Sequence, residues 1–420
     1  MFSPRICRRA GEKVAKVVKG KRKSKIVENK RKIKYLILGA GRMAKGILYY
    51  LSLNDPEGCF HIVDRQQMAI DDMLKFAGQN IRKKLNLKCS CDDIRKISRI
   101  KSLMCDSVVA ISCAHYELNT ALTETAISCG CNLVDLGGNP QVVHKQFKFD
   151  FKARKSAVTV IPDTGLAPGM TNILTFRAIE GFTKLDSVKI RVGGVPVNPI
   201  PPLNYMLVFS PEGLINEYVE DALVIRDGKI CRVESLSDVE SIFIKGFGKM
   251  EAFNTSGGSS TLVETLKGKV KNLDYKTIRY PGHSFIMNGI KQIGLMNSEF
   301  ITGEDGEKIN PRKVLGLLLE KYLPFKDEDA VILKITVEGE IEGKRRKRIV
   351  TLIDRFDRNS KLSAMTRCTS FPSACIAMMI ANGKISKRGV QKQELVVPSR
   401  DFVKMMRKAG LSINLRTVSV

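Results

Sequence analysis

The sequence predicts an α/β protein, with a doubly wound parallel sheet at its N-terminal end and a second α+β domain on a mixed sheet. Three observations predict it. Apolar runs at residues 35–38, 59–63, 108–112, 133–136 and 158–161 are short and bounded by glycine or polar residues, as strands buried on both faces are. Segments with helical apolar spacing separate them, at 47–53, 68–85 and 119–128. Strands alternating with helices make a parallel sheet. After Pro162 this rhythm stops.

The later elements follow in order. Residues 187–192 alternate as a strand does, and 193–218 form a long stretch rich in Pro and Gly. Ordered loops of that length are usually functional. Strand-like segments recur at 222–225, 241–244, 276–280 and 330–337, the last pairing with 348–353 across a turn at 339–343. Residues 372–381 read as an apolar helix capped by Ser370 and ended by Asn382-Gly383. The expected organisation is a basic tail (1–33), a nucleotide domain (34–162), a substrate and dimerisation domain (163–370) and a returning helical segment (371–420).

Composition narrows the function classes. With 420 residues and 43% hydrophobic content, two or three globular domains are expected. No apolar run reaches the ~18 residues that span a bilayer, so no membrane association is expected. The N-terminus lacks the apolar core of a secretory signal. The eleven cysteines include no CxxC pair, and four histidines complete no zinc site, so no metal is expected. Scattered thiols fit a reducing, cytoplasmic setting. The net charge is +27, of which +12 lies in residues 1–34, with fourteen Lys and Arg against two Glu, and +15 is spread over the remaining 386 residues. Such a tail can touch nucleic acid. Against nucleic-acid binding as the main function stand 6% aromatic content, no Trp and no recognisable binding module.

Gly39-x-Gly41-x-x-Ala44 follows a strand and opens a helix. Gly39 allows the tight turn, Gly41 lets backbone approach a pyrophosphate, and Ala44 permits close packing. The helix start at Arg42 and Met43 offers N–H groups to phosphates. This marks a Rossmann-type dinucleotide-binding domain. Asp64 ends the second strand, where an acid binds the ribose 2′-hydroxyl and repels a 2′-phosphate. NAD is favoured, and the adjacent Arg65, which can accommodate a 2′-phosphate, keeps NADP open. Ser112, Gly137, Asp163 and Thr164 fall at carboxyl ends of strands, where ligands sit in open parallel sheets.

Residues 161–170 (IPDTGLAPGM) resemble the domain-crossing segment of the saccharopine dehydrogenase-like superfamily. The stretches VGGVP (192–196), PPLNY (201–205), FSPEGL (209–214), EAFNTSGG (251–258), YKTIRYPGH (275–283) and ISKRGV (385–390) resemble the lysine 6-dehydrogenase family within it. The resemblance runs from about residue 34 to the end, and the basic tail departs from it. It implies that L-lysine and NAD give allysine, ammonia and NADH, and that allysine cyclises to piperideine-6-carboxylate. It also implies a homodimer and a C-terminal helix packed near the nucleotide domain.

Oxidising an amine requires its neutral form, so a base must take a proton. A substrate carboxylate calls for the planar fork of Arg. His283, in the turn after Arg279-Tyr280, is the candidate for proton transfer, or else a hydrogen-bonded loop histidine. Arg279 is the candidate for the carboxylate, or else a structural ion pair. Glu212 and Tyr205 lie in the Pro/Gly stretch, where a carboxylate can hold an ammonium; Ser210-Pro211-Glu212 also reads as a helix start. Thr255 and Ser256 offer hydroxyls, and Asp163 reaches either cofactor or substrate. His61 reads as structural and His144 as solvated. Saccharopine- or carboxynorspermidine-type chemistry and a non-catalytic NAD-binding role are the rival readings.

Overall fold

Residues 35–38 are apolar on both sides of the chain, and they become an inner strand of a seven-stranded parallel sheet. The computed structural model describes residues 34–81, 85–323 and 328–419. The basic tail lies outside them. In chain order the first half comprises β1 (Lys34–Leu38), α1 (Arg42–Asn54), β2 (Cys59–Asp64), α2 (Gln67–Asn80), β3 (Asn86–Cys91), α3 (Ile97–Cys105), β4 (Val109–Ser112), α4 (Asn119–Ser128), β5 (Asn132–Asp135), α5 (Pro140–Phe147), α6 (Asp150–Lys155) and β6 (Thr159–Ile161). The strand order β3-β2-β1-β4-β5-β6 reverses direction at β1 and β4. Ligands bind outside the carboxyl ends at such a switch point. The helix expected at 68–85 stops at Asn80, and residues 82–84 lie outside the described ones.

The second half continues with α7 (Met170–Ile179), β7 (Lys184–Pro196), α8 (Pro211–Val219), β8 (Ala222–Arg226), β9 (Lys229–Val233), β10 (Glu240–Ile244), β11 (Gly248–Asn254), α9 (Leu262–Leu266) and β12 (Val270–Arg279). It ends with α10 (His283–Gln292), β13 (Ile301–Thr302), β14 (Lys308–Ile309), α11 (Pro311–Tyr322), β15 (Asp329–Ile341), β16 (Lys344–Arg355), α12 (Ala364–Ala381), β17 (Gly389–Val390), α13 (Gln393–Val396), α14 (Ser399–Lys408) and β18 (Asn414–Ser419). Its sheet runs β10-β11-β12-β7-β15-β16-β18. The β12–β7 pair is parallel and its other pairs are antiparallel, so the sheet is mixed, as the sequence predicts. The β15–β16 hairpin pairs Ile332 with Ile353 and Val337 with Arg348. Its turn uses Glu342 and Gly343, both with positive φ, the geometry of a two-residue type I′ turn.

Two expectations are corrected. The irregular stretch after residue 192 is shorter, because β7 runs on to Pro196 and α8 begins at Pro211. The glycines suit β7 to its crowded place in the sheet. A Cβ on Gly193 would stand 2.4 Å from the Ile278 carbonyl oxygen, and one on Gly194 2.4 Å from the Met365 methyl. The apolar helix begins eight residues earlier than Pro372. Ser363 caps it by accepting the Thr366 N–H, and Pro372 lies inside it. The preference of Pro for a first turn gives way to packing, since 16 of the 18 residues of α12 are buried. Ser370 instead donates to the Met43 carbonyl at 2.9 Å.

Helix α12 joins the two halves. It packs on α1, β4 and β5 on one side and on β15 and β16 on the other. A Cβ on Gly46 would meet Ser370 Oγ at 2.6 Å, so Gly46 lets α1 lie close against α12. Downstream, β17 adds to β6 as the seventh parallel strand. Both sheets therefore hold their edges of interest around one cleft. No helix among the described residues is long and apolar enough to cross a membrane.

Candidate active site

A cavity of about 610 Å³ opens between the carboxyl ends of the parallel strands and the face of the mixed sheet. One wall comes from the turn at Gly41–Met43 and from Cys113, Ala114, Gly137, Gly138 and Asp163. The facing wall comes from Val192–Gly194 on β7 and from Tyr275, Thr277 and Arg279 on β12. Those three β12 residues alternate along the strand, so their side chains share one face. Lys276 points the other way, where its ammonium pairs with Asp238 and Glu240.

The third wall is α8. Gly213, Asn216, Glu217 and Glu220 line the cavity, a spacing that places them on one stripe of a helix. Leu214, Ile215 and Tyr218 on the opposite side are buried. The Glu217 carboxylate stands 4.0 Å from the Arg279 guanidinium and keeps 29% of its side chain open. Desolvation, only partly offset by Arg279, pushes Glu217 up to about 7. Glu220 accepts from Asn139 at 3.4 Å.

Arg279 is 3% exposed. It donates to the Ile278 carbonyl at 3.0 Å and lies over the Tyr205 ring, 4.8 Å from its centre. The Tyr218 hydroxyl lies close to it. Behind it the hydrogen-bond directions are fixed. Nδ1 of His283 is 3.0 Å from the Leu203 carbonyl, which can only accept, so Nδ1 carries the proton. Burial and the nearby Arg279 push His283 down to about 3, so the ring is neutral and Nε2 accepts. The Tyr218 hydroxyl, 2.9 Å away, therefore donates to His283.

Asp163 sits with positive φ at the end of β6. Its Oδ2 accepts from Ser260, while its buried Oδ1 has no hydrogen-bond partner. Burial, with the Asp135 and Glu394 carboxylates close by, pushes it up to about 7.

The turn before α1 fits a dinucleotide. Gly39 takes φ +109, and a Cβ built on Gly41 meets nothing within 4 Å. The first bond within the helix is from Lys45 N–H to the Gly41 carbonyl. The N–H groups ahead of it face that open space, where helix polarity favours a diphosphate. Gly41 has an ordinary φ of −73, so alanine there should disturb the fold by no more than about 1 kcal/mol. Gly41→Ala is expected to weaken NADH binding about tenfold or more, because the methyl takes the pyrophosphate's place. Fluorescence titration of NADH beside a melting curve checks both halves.

Residues 35–161 match the saccharopine dehydrogenase NADP binding domain, and residues 165–411 match the saccharopine dehydrogenase C-terminal domain. The chain belongs to the saccharopine dehydrogenase family. That family is one of oxidoreductases, and its model over residues 35–161 is a nicotinamide dinucleotide-binding domain. Mitochondrial alpha-aminoadipic semialdehyde synthase of Mus musculus is 23% identical over 285 residues, which cover 63% of this chain and 29% of that much longer protein. Carboxynorspermidine synthase of Vibrio cholerae is 22% identical over 318 residues, 72% of this chain and 73% of that one. Saccharopine dehydrogenase (L-Glu forming) from Saccharomyces cerevisiae superposes with a TM-score of 0.75 at 19% identity, covering 92% of this chain and all of that one. The fold is thus the family's fold.

Within this family member the residues singled out from sequence separate into two groups. Gly41, Arg42, Met43, Gly137, Asp163, Ser256 and Arg279 line the cavity. Gly39 shapes the turn, donating to the Val63 carbonyl at 2.7 Å. Asp64 stands at the end of β2, accepting from Ala40 N at 2.8 Å and Gln66 N at 2.9 Å, with Arg65 exposed beside it. The others do not reach the cavity. Ser112 is buried and donates to Asn119 at 2.8 Å. The Thr164 hydroxyl donates to the Asp135 carbonyl at 2.7 Å. Thr255 lies behind Thr277, their hydroxyls 2.7 Å apart. Tyr205 and His283 support Arg279 from behind.

Glu212 is corrected most. It sits one position off the lining stripe of α8 and faces the rim, where it pairs with His115 at 3.0 Å and Tyr116 at 3.3 Å. It joins the two halves there. Glu217 is the residue that sequence reading missed. Its signal was present: Gly213, Asn216, Glu217 and Glu220 form a polar i, i+3, i+4, i+7 stripe beside buried Leu214, Ile215 and Tyr218. His61 bonds Ser90 at 2.9 Å and His144 is exposed, in keeping with a structural and a solvated role.

Proposed function

We propose that this chain oxidises the side-chain amine of L-lysine with NAD, releasing ammonia and forming allysine, which cyclises. The charge of the cavity carries the reading. Among the described lining residues, Asp163, Glu217 and Glu220 stand against two guanidiniums, Arg42 and Arg279. Arg42 belongs to the phosphate turn, which leaves Arg279 for a single substrate carboxylate. Lysine brings one carboxylate and two ammonium groups, each with a counter-charge here. Saccharopine brings three carboxylates, and two of them would face carboxylates. A tricarboxylate bound so pays for desolvation without a partner. The Asp64 carboxylate at the end of β2, which repels a 2′-phosphate, supports NAD over NADP.

When bound, the nicotinamide accepts a hydride from the substrate carbon. The chain's own part is to hold the substrate. Arg279 takes the α-carboxylate through its fork, and the Tyr218–His283–Leu203 series fixes the angle of that fork. Carboxylates across the cavity receive the ammonium groups.

The test incubates the purified protein with NAD or NADP and with lysine, saccharopine or carboxynorspermidine, reading reduced cofactor and ammonia together. Lysine with NAD should give both in equal amounts. Reduced cofactor from saccharopine without ammonia would replace this reading with the saccharopine-type one.

A further inference from the structure

We propose that Glu217 is the catalytic base that takes the proton from the substrate's reacting ammonium group. The proposal rests on the amine-oxidising reading above, and it deepens that reading by naming the group that starts the chemistry.

Four carboxylates and one imidazole stand near enough to be considered, and geometry separates them. His283 is sealed behind Arg279, both ring nitrogens engaged. Glu212 is held at the rim by His115 and Tyr116. Asp163 is 4% exposed, its Oδ2 taken by Ser260 and its Oδ1 closed off. Glu220 is tied to Asn139. Of the carboxylates lining the cavity, Glu217 is the one whose side chain accepts no close protein hydrogen bond among the described residues, with Arg279 at 4.0 Å. That separation is too long for a tight ion pair. It leaves oxygen lone pairs free for a donor from the substrate, which a base must have.

The groups facing Glu217 are Arg279 and Tyr275 from β12, Tyr205 from the preceding loop and Tyr218 from its own helix. The three tyrosines are pushed well above their usual range by burial, so they stay neutral. Arg279 is the one charge that opposes desolvation. Glu217 is therefore protonated below about 7 and ionised above it, and its base form is present where the enzyme would work.

Glu217 as carboxylate takes one proton from R–CH2–NH3⁺, giving the free amine and a neutral carboxyl. The carbon then loses a hydride, with its electron pair, to the nicotinamide, which goes from oxidised to reduced. The substrate becomes an iminium. Water adds to that carbon, one of its protons passes to nitrogen and the other to solvent, and the C–N bond breaks, so that ammonia leaves and the aldehyde remains. One carbon is oxidised by two electrons and one NAD is reduced.

Glu217→Gln keeps size and removes the base. It should lower kcat/KM at pH 8 by about 10²–10⁴-fold. The wild-type profile should show an acidic limb near pH 7, and Glu217→Gln should abolish it. Survival of that limb in Glu217→Gln overturns the proposal. NADH affinity is measured first; if the Gln variant has lost it, Glu217→Asp carries the test. That variant, one methylene shorter, should lower kcat and retain a limb; unchanged kcat and profile overturn the proposal. If the wild type releases no ammonia from lysine, the lysine reading has failed on its own. The same variants are then read with whichever amine the wild type oxidises, where an unaltered limb again overturns the role of Glu217.

Discussion

Arg279→Lys lowers kcat/KM for lysine about 100-fold, mostly through KM, and leaves the rate with 1,5-diaminopentane nearly unchanged. Arg279 stands last on β12, on the face it shares with Tyr275 and Thr277. It is held by the Ile278 carbonyl, the Tyr205 ring and the Tyr218 hydroxyl. Lysine at this position keeps the charge but loses the planar fork. A charge-assisted hydrogen bond is worth about 1.5–3 kcal/mol, which is roughly one to two powers of ten. A diamine has no carboxylate to lose, so the difference between the two substrates isolates that contact, as a double-mutant cycle does. Steady-state kinetics with both amines checks it. An equal loss with both would mean that Arg279 holds the wall and not the substrate.

What was legible in the sequence follows from periodicity and from local chemistry. Residues 35–38 and the turn at Gly39 and Gly41 announce a nucleotide-binding sheet because each rule there is local: a buried strand, a positive φ, a helix start. Tertiary packing overrode such rules elsewhere. Pro372 marks a helix start by preference, yet it lies inside α12, which is buried on both sides. Gly193 and Gly194 read as a loop, yet β7 needs them for close approach to Ile278 and Met365. The site was half legible for the same reason. Arg279 stands out in the sequence because a substrate carboxylate calls for a planar cation, and the structure places it in the cavity wall. The Ser-Pro-Glu start makes Glu212 conspicuous in the sequence and leaves Glu217 unmarked, since which side of α8 meets the cavity depends on how the two halves dock. His283 lies one layer behind the cavity wall, with both ring nitrogens engaged, which cannot be read from a turn.

Asp163→Asn should stabilise the ligand-free protein at pH 8 and leave it unchanged at pH 4. Asp163 is 4% exposed, its Oδ1 has no partner, and Asp135 and Glu394 lie close. These raise it from 3.8 to about 7. The unfolded chain gives up this proton near 3.8 and the folded one near 7, so between those values the folded state binds more protons. Stability from this group therefore falls as pH rises through that window. Each tenfold difference in proton affinity between the two states is worth about 1.36 kcal/mol, so the cost above pH 7 approaches about 4 kcal/mol. Asparagine has no proton to lose and carries none of that cost. It also tolerates the positive φ that Asp163 adopts, and its amide oxygen can still accept from Ser260. Melting curves at pH 4, 6 and 8 should show the variant and the wild type together at pH 4 and separating steadily above it. A constant offset at all three values would mean that Asp163 is ionised throughout and partnered in a way its surroundings do not provide. The same buried charge explains why such a site gains from a cation. A substrate ammonium entering the cavity offsets the repulsion that the empty protein carries, so lysine should raise the wild-type melting temperature more at pH 8 than at pH 6.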